Sequence, residues 1–482
     1  MSSQPFSRYS SIIPDYSAFC EALTSPLPVT FWPNPERVSL KDLRILLTKA
    51  GFSPRPIPWH PAGMRLPSDR RAGKRREFFN GLYQIQEEAA MLPVLLLDPQ
   101  PGELILDMCA APGNKTAQIA FAMQNRGTVI ANDLNRKRLP ALRQTCERLG
   151  LRNVSLTNHN GGNIAAHAAE FDRILVDAPC SCEGTTRKNP GQPTESEIHF
   201  TEKQRRAQAA LLRKAVQLCK VGGRIVYSTC TYAPEENEAV INKVIREYGR
   251  DCLTLLEPAI PDSLTASPGL TQWEGESYDP KMTHCRRLYP HQNDTGGFFV
   301  AVLEKTGPPS KSNESKNADS PEPRPDFTPA TASPELHAVL DHFGIDPKTI
   351  DQLKTVQGRG NQLFLTADDH FPPAYFETAD TGLRSLRLDG AEPKLTHPGT
   401  LFLGKYATCN IVPLSEERAM LFMRRKAMDL TTEELCKCNG TGYVIVKHGG
   451  FTCGLGQLRR APEGHHFLTS NYPRRWAARL FS

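Results

Sequence analysis

Residues 171–189 have the sequence Phe-Asp-Arg-Ile-Leu-Val-Asp-Ala-Pro-Cys-Ser-Cys-Glu-Gly-Thr-Thr-Arg-Lys-Asn. The apolar run at residues 174–176 predicts a buried strand of a parallel sheet. Because Pro179 cannot continue that strand, the chain turns outward after Asp177, at the carboxyl edge of the sheet, where open α/β folds hold their ligands. The stretch therefore delivers an acid and a cysteine, Asp177 and Cys180, to the edge at which chemistry is expected.

The same pattern recurs along the chain and predicts the fold class. Residues 224–229 form a second apolar strand, which ends at Cys230. Further strand patterns occupy residues 104–108, 128–133 and 154–157, with helical patterns between them. Strands that alternate with helices predict an α/β fold with a doubly wound, Rossmann-like sheet. Two cysteines and one carboxylate at strand ends then predict a reaction centre.

The whole chain divides into four predicted segments. Residues 1–80 form a small N-terminal extension, residues 81–304 the α/β domain, residues 305–334 a linker, and residues 335–482 a β-rich C-terminal domain. The linker is predicted to be disordered because it consists mainly of polar residues and proline. Short strands with glycine turns in the C-terminal domain predict a small barrel. Two further helices are predicted, over residues 84–97 and from Thr201 to Gly222.

Composition describes an ordinary globular chain. Of the 482 residues, 39% are hydrophobic and 23% are charged, and the formal net charge of +6 identifies no partner by itself. The 13 cysteines stand singly or as Cys-x-Cys, which fits a reducing compartment better than a disulfide scaffold. The sequence has neither the apolar core of a signal peptide nor a run of about 20 apolar residues, so we expect a cytoplasmic protein. A basic cluster at residues 70–76 is either a solvated face or a contact for nucleic-acid phosphates.

A loop of small residues follows the strand at residues 104–108 and predicts a cofactor site. Its small side chains and Gly113 allow a ligand to approach the backbone closely, and the helix N-terminus favours an anionic group. Asp133 ends the next strand about 20 residues after Gly113, where an acid commonly binds ribose hydroxyls. The loop lacks both G-x-G-x-x-G and the Gly-Lys-Thr of a phosphate-binding loop, so an adenosyl cofactor that carries a carboxylate fits better than a nicotinamide dinucleotide. A tight turn without a ligand is the remaining alternative.

Several motifs occur in the order typical of one enzyme family. Residues 107–116 (Asp-Met-Cys-Ala-Ala-Pro-Gly-Asn-Lys-Thr), 177–188 (Asp-Ala-Pro-Cys-Ser-Cys-Glu-Gly-Thr-Thr-Arg-Lys) and 227–231 (Tyr-Ser-Thr-Cys-Thr) together resemble the Nop/Sun family of RNA 5-methylcytosine methyltransferases. Further matching motifs lie at residues 86–93, 235–240 and 287–301. The resemblance extends over residues 80–304, and the C-terminal domain resembles a PUA-like RNA-binding module.

The resemblance implies S-adenosylmethionine as the cofactor and RNA as the partner. It places the cofactor on the loop after the first strand, on Asp133 at the ribose, on Asn160 near the adenine and on Asp177. The loop residues are Cys109, Ala110, Ala111, Pro112, Gly113, Asn114 and Lys115. Asn160 departs from the Asp that the family usually has there, although Asn also donates and accepts hydrogen bonds.

The resemblance also implies four catalytic residues. Cys230 is the nucleophile, and Cys180 assists product release. Asp177 holds the cytosine, and Lys115 supports the site. Covalent catalysis is required because C5 of cytosine is too weakly nucleophilic to take a methyl group unaided, whereas thiolate attack at C6 makes C5 reactive. A populated thiolate predicts nearby positive charge that lowers the pKa of Cys230.

Other interpretations stay open from the residues alone. A DNA cytosine methyltransferase uses related chemistry, but its nucleophile comes from the Pro-Cys loop and it lacks the second cysteine. A relic domain in an RNA-binding or assembly factor is opposed by the presence of both cysteines together with Asp177 and Lys115. Cys436 and Cys438 with Cys453 match no common zinc spacing, so we expect no metal. We expect a monomer that modifies unpaired bases of either transfer RNA or ribosomal RNA.

Overall fold

Three parts make up the computed structural model, which describes residues 5–69, 71–189, 198–308, 326–358, 360–390 and 392–481. An antiparallel sheet lies on the N-terminal side, a large α/β sheet at the centre, and two β-sheets in the C-terminal half. Most of the predicted linker, residues 309–325, lies outside the described residues, as does Arg70 of the predicted basic cluster.

The N-terminal part has a sheet with the antiparallel strand order β2-β3-β1-β4. In chain order, its elements are α1 (Tyr16–Thr24), β1 (Val29–Pro33), α2 (Leu40–Lys49), β2 (Arg55–Pro56), β3 (Met64–Leu66), α3 (Arg76–Phe79) and β4 (Tyr83–Ile85). The prediction of one helix over residues 84–97 is wrong, because β4 pairs with β1 and the ring of Tyr83 packs against that of Phe31 at 5.2 Å. Only Leu92–Leu97 is an α-helix in that stretch, and it is α4.

The central sheet confirms the predicted α/β fold. Its parallel strands lie in the order β9-β8-β5-β6-β7, and antiparallel strands extend it at both ends. The strands are β5 (Leu104–Asp107), β6 (Thr128–Asn132), β7 (Val154–Thr157), β8 (Phe171–Asp177), β9 (Cys219–Thr229), β10 (Leu253–Leu256), β11 (Ser267–Pro268), β12 (Gln272–Trp273), β13 (Glu276–Ser277), β14 (Arg286–Leu288) and β15 (Phe298–Lys305). The helices are α5 (Asn114–Ala122), α6 (Leu139–Leu149), α7 (Ile198–Leu218), α8 (Glu238–Tyr248) and α9 (Pro290–Asn293). Helix α7 begins before Thr201 and ends before Gly222, so both predicted limits are wrong; Cys219 already pairs with Phe171 of β8.

Both faces of the central sheet are buried, as expected for parallel strands. Along β8, Ile174 and Val176 join the apolar cluster that includes α7, whereas Leu175 joins the cluster that includes α5 and α6. Phe6 and Tyr9 belong to the first of these clusters, so the start of the chain packs into the central core. The N-terminal sheet also includes β4, which follows the predicted division at residue 80, so that division does not separate the two parts. None of the helices in the described ranges is both long and apolar enough to span a bilayer.

The C-terminal half is β-rich, as predicted, and contains the sheets β16-β17-β18-β20-β21 and β22-β24-β25-β26-β23. The strands are β16 (Phe327–Pro329), β17 (Leu353–Gly358), β18 (Gln362–Ala367), β19 (Asp380–Thr381), β20 (Leu383–Arg387), β21 (Lys394–Leu395), β22 (Ile411–Pro413), β23 (Met428–Asp429), β24 (Gly442–His448), β25 (Phe451–Arg460) and β26 (His466–Ser470). The helices are α10 (Pro334–Phe343), α11 (His397–Leu403), α12 (Glu416–Met423) and α13 (Arg474–Leu480). Strand β16 falls within the predicted disordered linker but is ordered, because it pairs with β17.

The C-terminal half is joined to the central sheet through a shared strand. Strand β19 pairs antiparallel with β7 and becomes the last strand of the central sheet. On either side of β19, Ala379 N–H donates to the carbonyl of Leu156 at 2.7 Å, and Gly382 N–H donates to that of Val154 at 2.8 Å. An open edge strand exposes unpaired N–H and C=O groups, so this pairing closes the β7 edge. The C-terminal half is thus docked on the sheet rather than held only by a tether.

Candidate active site

The candidate site lies at the carboxyl ends of β5, β8 and β9, where the strand order changes direction. Asp177 is the last residue of β8, and Ser228 lies opposite it in β9. Lys115 is the second residue of α5, which follows β5. Because β5 and β8 are neighbours, Lys115 Nζ reaches Asp177 Oδ2 at 2.7 Å. Ser228 Oγ donates to the other carboxylate oxygen, also at 2.7 Å.

Lys115 stays charged in this environment. Burial lowers the pKa of Lys115, but the charge and the hydrogen bond of Asp177 outweigh burial, so the pKa of the amine lies above its usual value. The ammonium also lies 5.5 Å from the ring centroid of Phe298. With a charged donor on one oxygen and a hydroxyl donor on the other, the Asp177 carboxylate is held in one orientation.

Cys180 and Cys230 meet at the same edge. Cys230 directly follows β9, Cys180 follows the Pro179 turn after β8, and their Sγ atoms are 3.4 Å apart. The N–H of Gly184 donates to the carbonyl of Cys230 at 2.9 Å and so joins the two turns. The charge of Asp177 acts on the Cys230 thiol, which places the thiol pair and the Lys115–Asp177 pair in one site.

The prediction that positive charge lowers the pKa of Cys230 is wrong for this structure. The hydrogen bond with Cys180 lowers that pKa, but the hydrogen bond with Cys182, burial and the charge of Asp177 outweigh it and hold the pKa of Cys230 well above its usual value. Hydrogen bonds with Cys182 and Cys230, together with burial, raise the pKa of Cys180 in the same way. Both thiols are therefore protonated here, and Cys230 must lose its proton when it attacks.

Cys182 is a third thiol at the site, which the sequence analysis did not single out. Its Sγ atom and those of Cys180 and Cys230 all lie within 4.8 Å of one another. Cys182 has a φ of 61°, in the left-handed region that favours glycine, because the backbone turns sharply there. Hydrogen bonds with Cys180 and Cys230 lower the pKa of Cys182. Its Cys-x-Cys spacing from Cys180 was the available signal in the sequence.

Two buried glutamates hold the turns that carry the cysteines, and neither was predicted from the sequence to belong to the site. Glu183 accepts hydrogen bonds from Tyr9 Oη at 3.0 Å and from Thr231 Oγ1 at 2.9 Å. Glu236 accepts a hydrogen bond from the N–H of Ser181 at 3.1 Å, and burial raises the pKa of Glu236 to about 7. Their positions inside the family motifs were visible, but a motif does not show that a charged residue is buried.

The predicted cofactor loop lies beside these residues, between β5 and α5. Ala110 and Ala111 are buried, and Gly113 has a φ of 103°, where a Cβ atom would lie 2.9 Å from Leu142 Cδ1. Asp133, directly after β6, accepts a hydrogen bond from the N–H of Ala111 at 3.1 Å. Asp133 also accepts from the N–H of Asn135 at 2.8 Å and pairs with Arg138 at 3.3 Å. A carboxylate has about four acceptor sites, so Asp133 keeps capacity for one further donor, such as a ribose hydroxyl. The loop therefore fits an adenosyl cofactor. Its remaining residues are Cys109, Pro112, Asn114 and Lys115.

Some residues of the loop and its strand make contacts within the protein. Asn114 Oδ1 accepts a hydrogen bond from Gln84 Nε2 of β4 at 2.6 Å. Burial raises the pKa of Cys109 well above its usual value, so this thiol is neutral. Asp107 Oδ2 accepts from Thr116 Oγ1 at 2.7 Å, whereas Oδ1 is buried and has no partner in the part of the chain that the structure describes. Burial raises the pKa of Asp107 to about 7, against the hydrogen bond from Thr116.

Asn160 lies after β7, at the neighbouring strand end. It is exposed, and its Oδ1 accepts a hydrogen bond from the N–H of Gly162 at 3.2 Å, which caps the following turn. Asn132 Nδ2 donates to the carbonyls of Met108 and His159 at 3.1 and 3.0 Å, and this joins the turn to the end of β5. Asn160 is thus on the cofactor side of the sheet edge, next to the predicted loop.

Comparison with known proteins identifies relatives of this chain. The 16S rRNA methyltransferase RsmB/F family matches residues 94–304. A tRNA (cytosine(49)-C(5))-methyltransferase of Pyrococcus abyssi is 36% identical over 300 residues, which cover 62% of this chain and 94% of that protein. The ribosomal RNA small subunit methyltransferase F of Aeromonas salmonicida is 30% identical over 469 residues, which cover 93% of this chain and 92% of that protein. A crystal structure of a methyltransferase homologue from Pyrococcus horikoshii matches with a TM-score of 0.55 at 36% identity, covering 62% of this chain and 93% of that chain.

Proposed function

Because this chain belongs to the RsmB/F (Nop/Sun) family of S-adenosylmethionine-dependent RNA cytosine-C5 methyltransferases, we propose that its substrate is small-subunit ribosomal RNA and its nucleophile Cys230. The chain methylates C5 of cytosine in RNA. We choose ribosomal RNA because the similarity to the ribosomal enzyme of Aeromonas salmonicida extends over 93% of this chain and so includes the C-terminal half. Similarity to the tRNA enzyme of Pyrococcus abyssi covers 62% of the chain.

The same coverage supports an RNA-binding, PUA-like role for residues 335–482. Residues 1–80 are proposed to face the RNA, residues 81–304 to carry the chemistry, and residues 305–334 to connect the two halves. All 13 cysteines are free thiols, which supports a reducing compartment such as the cytoplasm. We propose that the enzyme acts as a monomer.

Cys230 acts by covalent addition to the cytosine ring. Its sulfur bonds to C6 of the cytosine, the proton of the broken Sγ–H bond passes by way of the Asp177 carboxylate to ring nitrogen N3, and the electron pair of the C5–C6 double bond makes C5 nucleophilic. C5 then takes the methyl group that S-adenosylmethionine supplies when it is bound. A solvent water then takes the C5 proton, and the electron pair of the C5–H bond re-forms the double bond. The bond between Cys230 and C6 breaks with its electron pair on the sulfur, and the N3 proton returns through Asp177 to the cysteine pair.

Asp177, Lys115 and Cys180 control the charges in these steps. The carboxylate of Asp177, held by Lys115 at 2.7 Å, shares the proton on ring nitrogen N3 and stabilises the charge that develops on the ring when Cys230 adds. Cys180 is a protonated thiol 3.4 Å from the Cys230 sulfur, so it donates a proton to that sulfur as it leaves. The cofactor is held by residues 109–115, by Asp133 and by Asn160.

Methylation of purified RNAs by the full-length enzyme tests the substrate. Small-subunit ribosomal RNA and transfer RNA that both lack 5-methylcytosine are incubated with S-adenosylmethionine, and the product is mapped by bisulfite sequencing. We expect one modified position in the ribosomal RNA and none in the transfer RNA, with the Cys230→Ala variant as the blank. Modified transfer RNA beside unmodified ribosomal RNA would overturn the proposed substrate.

A further inference from the structure

A basic groove runs between the central sheet and the C-terminal half. Its volume is about 820 Å³, with helix α6 on one wall and β20, β21 and α13 on the other. Of the residues that line it, eight are Lys or Arg, and Glu147 is the acidic one. The predicted basic cluster of the N-terminal part is not among them. This concentration of positive charge follows from the docking of the two halves, since each wall comes from a different half.

Ion pairs neutralise only some of these cations. The ion pairs along the groove include Arg143–Asp380, Arg384–Glu147 and Arg387–Asp389. Lys137, Lys394, Arg474 and Arg475 form no ion pair with any residue that the structure describes. Of these, Lys137, Arg474 and Arg475 are exposed. The groove therefore presents a surplus of positive charge to solvent.

Buried polar atoms without protein partners also line the groove. Asn471 Nδ2, Arg384 Nε and both ring nitrogens of His397 are buried and make no hydrogen bond within the described ranges. Burial lowers the pKa of His397 to about 3, so its ring is neutral. Asn471 Oδ1 accepts from Lys394 Nζ at 3.3 Å, which leaves the Asn471 amide as a donor. Buried donors without acceptors are unfavourable, so a ligand rich in acceptor oxygens fits here.

The groove begins next to the active site. Lys137 precedes α6, and the first turn of α6 lies at the carboxyl edge of the sheet because α6 follows β6. Arg138 pairs with Asp133 at 3.3 Å and donates a hydrogen bond to the carbonyl of Ala111 in the cofactor loop. From there the 11 residues of α6 extend for about 16 Å along one wall of the groove.

We propose that this groove binds the phosphates of the RNA substrate and so leads an unpaired cytosine to the active site. The proposal rests on the proposed function, because it takes RNA as the substrate. Phosphate oxygens fit both features of the groove. They are anionic, so they neutralise the surplus of cations, and they accept hydrogen bonds from the unpartnered donors. Both walls are needed, so the pairing of β19 with β7 assembles the RNA site.

The first test removes two exposed charges from the C-terminal wall with Arg474→Gln/Arg475→Gln. We expect the Kd for RNA to rise on the order of tenfold, and the slope of log Kd against log salt to fall by about 1.5, because each lost phosphate contact accounts for about 0.7–0.9 of that slope. The kcat at saturating RNA and the affinity for S-adenosylmethionine stay within about twofold of wild type, because neither arginine touches the reacting atoms.

The matched control is Lys243→Gln/Arg246→Gln, which also removes two exposed charges. These residues lie on α8, whose chain leads to β10 at the far end of the central sheet from β7. We expect unchanged RNA affinity for this variant. Unfolding midpoints of both double variants, measured alongside, separate a lost contact from a lost fold.

Lys137→Gln tests the other wall. Its effect on log Kd should add to that of the arginine pair, because the three cations contact separate phosphates of one RNA. Equal RNA affinity for the groove variants and the control, or no effect of Lys137→Gln, overturns the shared groove. Methylation of transfer RNA in place of ribosomal RNA overturns only the proposed substrate, since the affinities are then measured with the RNA that is methylated.

Discussion

The central sheet has two edges, and the chain uses them differently. At the carboxyl ends of its strands, Lys115, Asp177 and Cys230 come from short motifs that each follow a strand directly. At the lateral edge of β7, the partner strand Asp380–Thr381 comes from a distant part of the chain and has no recognisable motif. The catalytic residues thus come from short local motifs at strand ends, whereas the docking of the C-terminal half depends on backbone pairing between distant segments.

The two edges also differ in the contacts that hold their residues in place. The carboxyl edge keeps an ionised pair, Lys115 with Asp177. The β7 edge is joined by backbone hydrogen bonds, by the ion pair between Arg143 and Asp380 of β19, and by neutral side chains such as Ser155 Oγ at 2.9 Å from His370 Nε2. Burial lowers the pKa of His370 to about 4. Substitutions can therefore remove the chemistry without the docking, or the docking without the chemistry.

Cys230→Ala should have the largest effect, because it removes the chemistry at the carboxyl edge and leaves the docking at the β7 edge intact. It removes the atom that bonds to C6, so we expect methyl transfer to fall by at least about 10⁴-fold. The affinity for S-adenosylmethionine should change less than a few-fold, because Cys230 lies on a strand end separate from the cofactor loop, and RNA affinity should persist because the groove is intact. Turnover at a tenth of the wild-type rate would exclude Cys230 as the nucleophile.

Cys180→Ala acts at the same edge but later in the reaction. We expect one methylation, followed by a covalent complex with RNA that survives denaturing electrophoresis, and a steady-state rate lower by about 10²-fold or more. The double variant should form no complex, because release cannot matter before addition. A complex that forms in Cys230→Ala and disappears in Cys180→Ala would reverse the two roles.

Gly382→Ala perturbs the other edge. Gly382 follows β19 with a φ of 72°, and a Cβ atom there would lie 2.5 Å from the carbonyl oxygen of Leu365. We expect the free energy of unfolding to fall by about 2–3 kcal/mol, and RNA affinity to fall with it while cofactor binding persists. Gly360→Ala is the control, since its φ is 70° but its Cβ would meet open space, and it should cost about 1 kcal/mol. Equal losses in the two variants would show that the close approach of Gly382 to Leu365 of β18 contributes nothing.

The residues at the carboxyl edge were predictable from the sequence, whereas the strand pairing at the β7 edge was not. The strands that end at Asp177 and Cys230 were predictable because apolar runs and Pro179 are local signals. The docking through β19 was not, since pairing of two residues with β7 depends on the completed fold. The protonated state of Cys230 was also missed, because burial and the neighbouring Cys182 thiol arise only when the turns meet.

Asp107→Asn gives the smallest expected change, in the pH dependence of stability. Asp107 is 1% exposed at the end of β5, and burial raises the pKa of this carboxyl from its usual 3.8 to about 7. Between those pH values the folded chain holds a proton that the unfolded chain has released, so stability falls as pH rises toward 7. This carboxyl should remove about 1 kcal/mol of unfolding free energy between pH 6 and pH 7. The variant should lack that loss, while Glu236, whose pKa burial also raises to about 7, preserves part of the slope.

Asp389→Asn is the matched control from the C-terminal half. The hydrogen bond from Arg387 lowers the pKa of the exposed Asp389 carboxyl, so any stability it adds is lost only as pH falls below its usual pKa. Its replacement therefore leaves the change between pH 6 and pH 7 as in wild type. Chemical unfolding at both pH values measures all three proteins. If Asp107→Asn kept the wild-type slope, the Asp107 carboxylate would be ionised throughout this range, and the charge of Lys115 would suffice to stabilise it despite its burial.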